Sequence, residues 1–307
     1  MQYIELGRTG IVVSRIAFGC AAIGGYDYGN ADDDESAYAV RAALEAGITL
    51  FDTADVYGFG RAEEVLGRAL ASDRANVAIA TKCGVRWDAS GRTTRDSSPE
   101  YLTQAVDASL RRLGVEQITL AQLHWPDVNT PIEESIGALE RCRERGKVRV
   151  IGCCNFPIEL IDEAQRHGRL DSQQLPLSLG ERAGASNVRE CATRFGMGVL
   201  CYNTLAQGLF SGKFTPNATF ANEDLRSRSA LFAGRNRDDN FVLLERLRDV
   251  AVAEVGTTSQ VAVRWVLDQP GVTCAIVGAR SAHQVIENAG AARVVISAVA
   301  MQHLTHY

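Results

Sequence analysis

The chain has 307 residues, a net charge of −5, and 46% hydrophobic against 22% charged residues. That length suits a single α/β barrel domain over residues 1–307. The acidic balance excludes the basic footprint of a protein that binds nucleic acid or an anionic membrane. No apolar run approaches the ~20 residues that span a bilayer, and the start, MQYIELGRTG, lacks the basic and apolar regions of a secretory signal. The eight cysteines form no C-x-x-C pair and lie mostly in apolar runs, which reads as reduced, buried thiols in a cytoplasmic protein. Only three lysines occur, Lys82, Lys147 and Lys213, so each invites a specific reason.

Taken in order, residues 3–14 read as a β-hairpin around Gly7-Arg8-Thr9-Gly10. A beat of short apolar strand, polar end and helix then begins. Residues 16–20 form the first strand, followed by a loop with Gly24, Gly25, Tyr26 and Tyr28. Residues 33–46 form an amphipathic helix whose acidic first turn suits the positive end of its dipole. Strand 48–51 ends at Asp52 and precedes helix 63–71; strand 77–81 ends in Lys82 and precedes helix 99–113. Strand 118–123 ends in His124 and precedes helix 131–145, with Pro131 in its first turn. Strand 148–154 ends in Asn155 and precedes helix 157–167. A more polar strand follows at 172–178, then one at 198–201 that ends in Tyr202, with an extended segment from 205 to 240 behind it. Helices at 241–255 and 258–269, strand 273–277 and helices at 281–289 and 297–306 complete the chain.

Near-continuous apolar strands alternating with helices predict a parallel sheet covered by helices, and eight such units close a (β/α)8 TIM barrel. The fold expected is therefore that barrel with an N-terminal β-hairpin and two extra helices. An open doubly wound sheet would carry a glycine fingerprint after its first strand, and Gly58-Phe59-Gly60 lacks the third glycine. In a barrel the polar strand ends Asp52, Lys82, His124, Asn155 and Tyr202 share one mouth, where active sites are built. Tyr57 follows Asp52 on the same loop. A lysine beside a phenol favours phenolate, and a neutral imidazole can donate to a substrate oxygen. Such a set moves a proton at an oxygen on carbon but has no electron sink, so hydride chemistry needs a redox cofactor. The structural reading of the same residues is a core salt bridge and a packed imidazole.

The four segments Leu6-Gly7-Arg8-Thr9-Gly10, Phe51-Asp52-Thr53-Ala54 with Tyr57-Gly58, Thr81-Lys82 and Leu123-His124-Trp125-Pro126-Asp127 together resemble the aldo-keto reductase family along essentially the whole chain. The resemblance implies an NADP(H)-dependent enzyme, with NAD(H) as the alternative, that interconverts a carbonyl and an alcohol. It implies Tyr57 as general acid or base, Lys82 to lower its pKa, Asp52 to hold Lys82, and His124 to orient the carbonyl. Asn155 and Gln174 would hold the nicotinamide amide, with Cys154 where the family has serine, and Tyr202 would stack on the ring. Asn203-Thr204-Leu205 stands where the family has Ser-Pro-Leu, and Gly208-Leu209-Phe210-Ser211-Gly212-Lys213 resembles its diphosphate loop. Gly278, Arg280, Gln284, Glu287 and Asn288 resemble the adenosine site, with Arg280 placed for a 2′-phosphate.

Trp87 and Trp125 are the candidate walls of an apolar substrate pocket. His303 and His306 have ligand-like spacing but no third ligand, so no metal site is expected. The partner expected is a small-molecule carbonyl or alcohol, not nucleic acid or a membrane. Two alternatives are an NAD-linked aldose or alcohol dehydrogenase and a nicotinamide-binding regulatory subunit with little turnover.

Overall fold

A computed structural model describes residues 1–25 and 29–305, so Tyr26, Tyr28 and His306 lie outside the described residues. The hairpin comprises β1 (Tyr3–Glu5) and β2 (Val12–Ser14). Strand β3 (Ile16–Gly19) precedes α1 (Asp33–Glu45), and β4 (Leu50–Asp52) precedes α2 (Arg61–Ala69). Next come β5 (Ala78–Cys83), a small hairpin of β6 (Val85–Trp87) and β7 (Thr93–Arg95), and α3 (Pro99–Leu113). The beat continues with β8 (Ile118–Leu123), α4 (Ile132–Glu144), β9 (Val148–Cys154) and α5 (Ile158–Ala164). It proceeds through β10 (Ser172–Pro176), α6 (Ala185–Arg194), β11 (Gly198–Tyr202), α7 (Gly234–Ala253) and α8 (Thr258–Leu267). Strand β12 (Cys274–Gly278), α9 (Ala282–Gly290) and α10 (Ala298–Thr305) end it.

Strands β3, β4, β5, β8, β9, β10, β11 and β12 close into a parallel barrel, with β12 paired back onto β3. This is the expected (β/α)8 architecture, and α7 and α10 are the two helices outside the repeat. Period-two alternation sorts the strand side chains. Ala17, Leu50, Ala78, Leu120, Val150 and Leu200 point inward and pack on Leu6, Ile11 and Val13 of the hairpin, which plugs the barrel floor. The intervening Phe18, Phe51, Ile79, Ala121, Ile151 and Val199 point outward beneath the helices. Each large apolar side chain buried there contributes about 1.5–3 kcal/mol.

Local signals set the helix limits where they are strong. Helix α3 begins at Pro99 with the Ser98 side chain as its cap and stops at Gly114, whose backbone is left-handed. Three elements carried too little apolar periodicity to be read in advance. Helix α6 buries only Val188 and Cys191, and the β6–β7 hairpin has an exposed second strand. Helix α7 starts at Gly234, well before residue 241, because its first turns, Gly-Arg-Asn-Arg-Asp-Asp, are polar and its buried residues begin at Asn240. Pro131 caps α4 from outside its first turn. Among the described residues no helix is long and apolar enough to cross a membrane.

Candidate active site

The inward parity that builds the barrel interior also selects the site. Two residues beyond inward Leu50 comes Asp52, two beyond Ala80 comes Lys82, and Leu120 leads to Gln122 and His124. Val150 leads in the same way to Gly152 and Cys154, and Leu200 leads to Tyr202. These polar groups therefore stack above the apolar plug at the C-terminal ends of the strands. Cys153, of opposite parity, packs outward in the helix-covered core.

Asp52 and Lys82 form a buried pair, with side chains 4% and 1% exposed. The Lys82 ammonium donates to Asp52 Oδ1 at 3.0 Å, to Oδ2 at 2.8 Å and to the Thr53 carbonyl at 2.8 Å. Burial works against the Lys82 charge, but Asp52 leads the groups that outweigh it, and the pKa is raised. Lys82 is thus a fixed cation. Its Nζ lies 5.0 Å from the centre of the Tyr57 ring, whose edge meets His124 with centroids 5.9 Å apart. Gly58, with a left-handed backbone, lets this loop press on the Gly24 carbonyl, where any Cβ would collide.

The phenol differs from the expectation of a lowered pKa. Burial pushes the Tyr57 pKa up, and Lys82, the next largest influence, opposes this without reversing it. Desolvating a phenolate here costs more than one ammonium returns. The arrangement keeps the proton on Tyr57 at neutral pH, and Lys82 offsets part of the cost of a phenolate there. Burial, then the Lys82 charge, holds the His124 pKa well below the usual imidazole value, so the ring is neutral at neutral pH. Its buried Nδ1 has no hydrogen-bond partner among the described residues.

A neutral buried imidazole ties stability to pH. The unfolded ring binds a proton near pH 6.5 and the folded ring only at lower pH, so this contribution is complete above about 6.5 and is lost as pH falls below it. In His124→Gln the loss of unfolding free energy on acidification from pH 7 should be shallower than in wild type, measured by urea unfolding at a series of pH values. Equal slopes would contradict a neutral buried His124.

A cleft of about 1810 Å³ runs from this floor across the mouth of the barrel. Asn155 and Asn203 both adopt left-handed backbone angles, which asparagine tolerates better than most residues. Asn155 accepts from the Tyr202 hydroxyl at 2.9 Å and donates to the His124 carbonyl at 3.4 Å. Gln174 donates to Asp52 Oδ1 at 2.7 Å and to Gln122 Oε1 at 3.3 Å, so its amide is joined to the Asp52–Lys82 pair. The Cys154 thiol lines the cleft, its pKa raised by burial against the charge of Lys82. Asn203 is held by Glu181 at 2.9 Å and caps the N–H of Gln207, while Leu205 lines the same wall.

At the far end the wall becomes cationic. Partial desolvation, then Arg226 and Arg280, lower the Lys213 pKa, while Asp224, which is paired with Arg226, acts the other way. Lys213 folds over Gly208, where an added Cβ would lie 3.4 Å from its ammonium. Like charges gathered along a cleft suit an extended polyanion such as a dinucleotide diphosphate. Gly278, Arg280, Gln284, Glu287 and Asn288 line that end. Gln284 accepts the Arg280 backbone N–H at 2.8 Å, and Glu287 accepts the Thr257 hydroxyl at 2.8 Å. The Arg280 guanidinium donates to the Gly29 and Asn30 carbonyls at 2.9 and 3.4 Å.

Trp125 stacks on His124 with rings 16° apart and lines the cleft. Trp87 stands behind Phe59, at 5.9 Å between centroids, and it is Phe59 that faces the cleft. Sequence reading passed over Gln122, Glu181, Arg226 and the β6–β7 hairpin, which adds Val85 and Arg95 to the lining. Gln122 carried a signal, being the polar residue of inward parity in an apolar strand. The others had none.

The Aldo/keto reductase family model matches residues 15–306. Aldo-keto reductase YhdN of Bacillus subtilis (strain 168) is 37% identical over 287 residues, which is 92% of this chain and 86% of that protein. The NADH-specific methylglyoxal reductase of Escherichia coli (strain K12) is 32% identical over 313 residues, covering 97% of this chain and 95% of that protein. The solved glycerol dehydrogenase of Gluconobacter oxydans superposes with a TM-score of 0.92 at 37% identity, covering 99% of this chain and 94% of the other. Barrel, plug and mouth cleft define a (β/α)8 barrel with a cleft at the C-terminal ends of its strands. The chain belongs to the aldo/keto reductase family, whose members are NAD(P)H-dependent oxidoreductases acting on carbonyl and alcohol groups.

Proposed function

We propose that the protein reduces the carbonyl of a small aldehyde or ketone, and oxidises the corresponding alcohol, with Tyr57 as the group that gives or takes the proton. The observation that carries this reading is the phenol held against a buried ammonium and a neutral imidazole on the floor of a cleft. A bound nicotinamide dinucleotide supplies the hydride. The substrate oxygen lies between Tyr57 and His124. His124 donates a hydrogen bond that orients the carbonyl, and Tyr57 protonates the oxygen as negative charge grows on it. Lys82, fixed by Asp52, stabilises the resulting phenolate. In the oxidative direction the phenolate accepts the alcohol proton.

Cys154, Asn155 and Gln174 present the amide-binding edge, and Tyr202 the stacking face. Asn203, Leu205 and Lys213 flank the diphosphate, and Gly278, Arg280, Gln284, Glu287 and Asn288 surround the adenosine. Two relatives are named for methylglyoxal and glycerol, which supports a short, oxygen-rich substrate. Eight free, buried thiols support a reducing, cytoplasmic location.

The dinucleotide proposed is NADP(H), through an Arg280 contact to the 2′-phosphate. Replacing Arg280 with Ala should weaken NADPH about tenfold more than NADH, followed by quenching of protein fluorescence; equal weakening would remove this assignment. A second reading, NAD(H)-linked alcohol dehydrogenation, is favoured by the Arg280 bonds to Gly29 and Asn30 and by the NADH-specific relative. Turnover of a panel of short aldehydes and polyols with both dinucleotides, read at the nicotinamide absorbance, separates the two. Absence of turnover with either dinucleotide would remove the reductase reading and leave the regulatory one.

A further inference from the structure

The carboxylates lining the cleft already have partners. Asp52 holds Lys82, Glu181 holds Asn203, Glu287 takes the Thr257 hydroxyl, and Asp239 lies 3.8 Å from Arg235. On the Trp125 side the charge balance differs. Arg95, at the end of β7, lines the cleft and is exposed. Its guanidinium lies over the Trp125 ring, 5.3 Å from the centroid, and its Nη1 donates to the Pro126 carbonyl at 3.1 Å. No carboxylate among the described residues lies within 4.0 Å of it. The two acids beside it in the chain fold are engaged elsewhere. Asp96 pairs with Arg86 at 3.0 Å and accepts from Ser98, while Asp127 accepts from the Ser97 and Asn129 N–H groups and the Thr130 hydroxyl.

The position of this cation is set by neighbouring structure. Arg95 pairs with Val85 across the β6–β7 hairpin, and Val85 also lines the cleft. Trp125 links the other two groups, with 6.3 Å between its ring and that of His124 and 5.3 Å from its centroid to the Arg95 guanidinium. A substrate whose carbonyl lies between Tyr57 and His124 can extend past Trp125 along the cleft and end at Arg95. A guanidinium backed by an aromatic face keeps donors for an anion, and its fork matches a carboxylate.

We infer that Arg95 is a specificity-determining residue that selects aldehydes or ketones carrying a carboxylate several bonds from the reacting carbonyl. The inference rests on the carbonyl-reductase reading. It adds a substrate charge that neither methylglyoxal nor glycerol has. A carboxylate on the far end of a longer substrate is what meets Arg95 beyond Trp125.

The test compares para-carboxybenzaldehyde with its uncharged methyl ester, by kcat/KM, in wild type, Arg95→Gln and Arg95→Lys. The two aldehydes share their reacting group and ring. The wild-type preference for the acid over the ester should fall about tenfold in Arg95→Gln, through the KM of the acid. Arg95→Lys should recover part of it, and added salt should erode it in wild type. An unchanged ratio, or a parallel loss on both aldehydes, would overturn the inference while leaving the reductase reading in place. If wild type reduces neither aldehyde while turning over other carbonyls, the site does not admit this substrate class and the inference falls alone. If it reduces no carbonyl at all, both readings fall together.

Discussion

Tyr57→Phe should lower carbonyl reduction by about 10²–10⁴-fold, the usual contribution of a positioned general acid. Dinucleotide affinity, measured by fluorescence quenching, should stay near wild type, since the ring that lines the cleft is retained and only the hydroxyl is lost. The pH dependence gives a second readout. In the proposed mechanism reduction requires the protonated phenol, so kcat/KM should be level through neutrality and fall as pH rises through the Tyr57 pKa. Burial raises that pKa, so the alkaline limb should lie above the ordinary phenol value of about 10. Oxidation by the same mechanism requires phenolate and should rise over the same range. Substantial reduction by the Phe variant would transfer the proton-donor role elsewhere, His124 being the nearest other candidate.

The second large effect concerns the ion pair beneath that phenol. Lys82→Met removes the cation and strands the Asp52 carboxylate, with Gln174 as its remaining side-chain donor. Breaking a buried pair in this way costs about 3–5 kcal/mol of stability. Asp52→Leu combined with Lys82→Met removes both charges and should recover much of that loss, because two matched apolar side chains need no counter-charge. Catalysis should not recover with it. The double variant still lacks the ammonium that stabilises phenolate, so its reduction rate should remain far below wild type at every pH. Thermal unfolding and initial rates on the four proteins of this cycle separate the two roles. A double variant that is both stable and fully active would show that Lys82 is a packing element alone.

What could be read from the chain alone follows from local physics. Runs such as Val-Arg-Val-Ile-Gly-Cys-Cys and Ile-Thr-Leu-Ala-Gln-Leu are short, apolar and punctuated by polar ends, and strand geometry turns that pattern into parity. Leu120, Gln122 and His124 must share a face whichever neighbours they acquire. The barrel, its N-terminal hairpin, and the convergence of Asp52, Lys82 and His124 at one mouth were therefore legible, as was α3 between Ser98 and Gly114. Helix α6, the β6–β7 hairpin and the first turns of α7 were not, because elements that bury few side chains leave little periodicity.

Only the tertiary structure decided the energetics of the site. Lys82 works to lower the Tyr57 pKa, but the solvent the phenol loses raises it further, and burial wins there. Gln174 bonds to Asp52 because strands far apart in sequence face each other across the barrel. Trp87 is screened by Phe59, while Arg95, one arginine among many in the sequence, sits on Trp125. Charge, desolvation and through-space contact depend on all the neighbours a group acquires, whereas strand parity depends only on the residue before and the residue after.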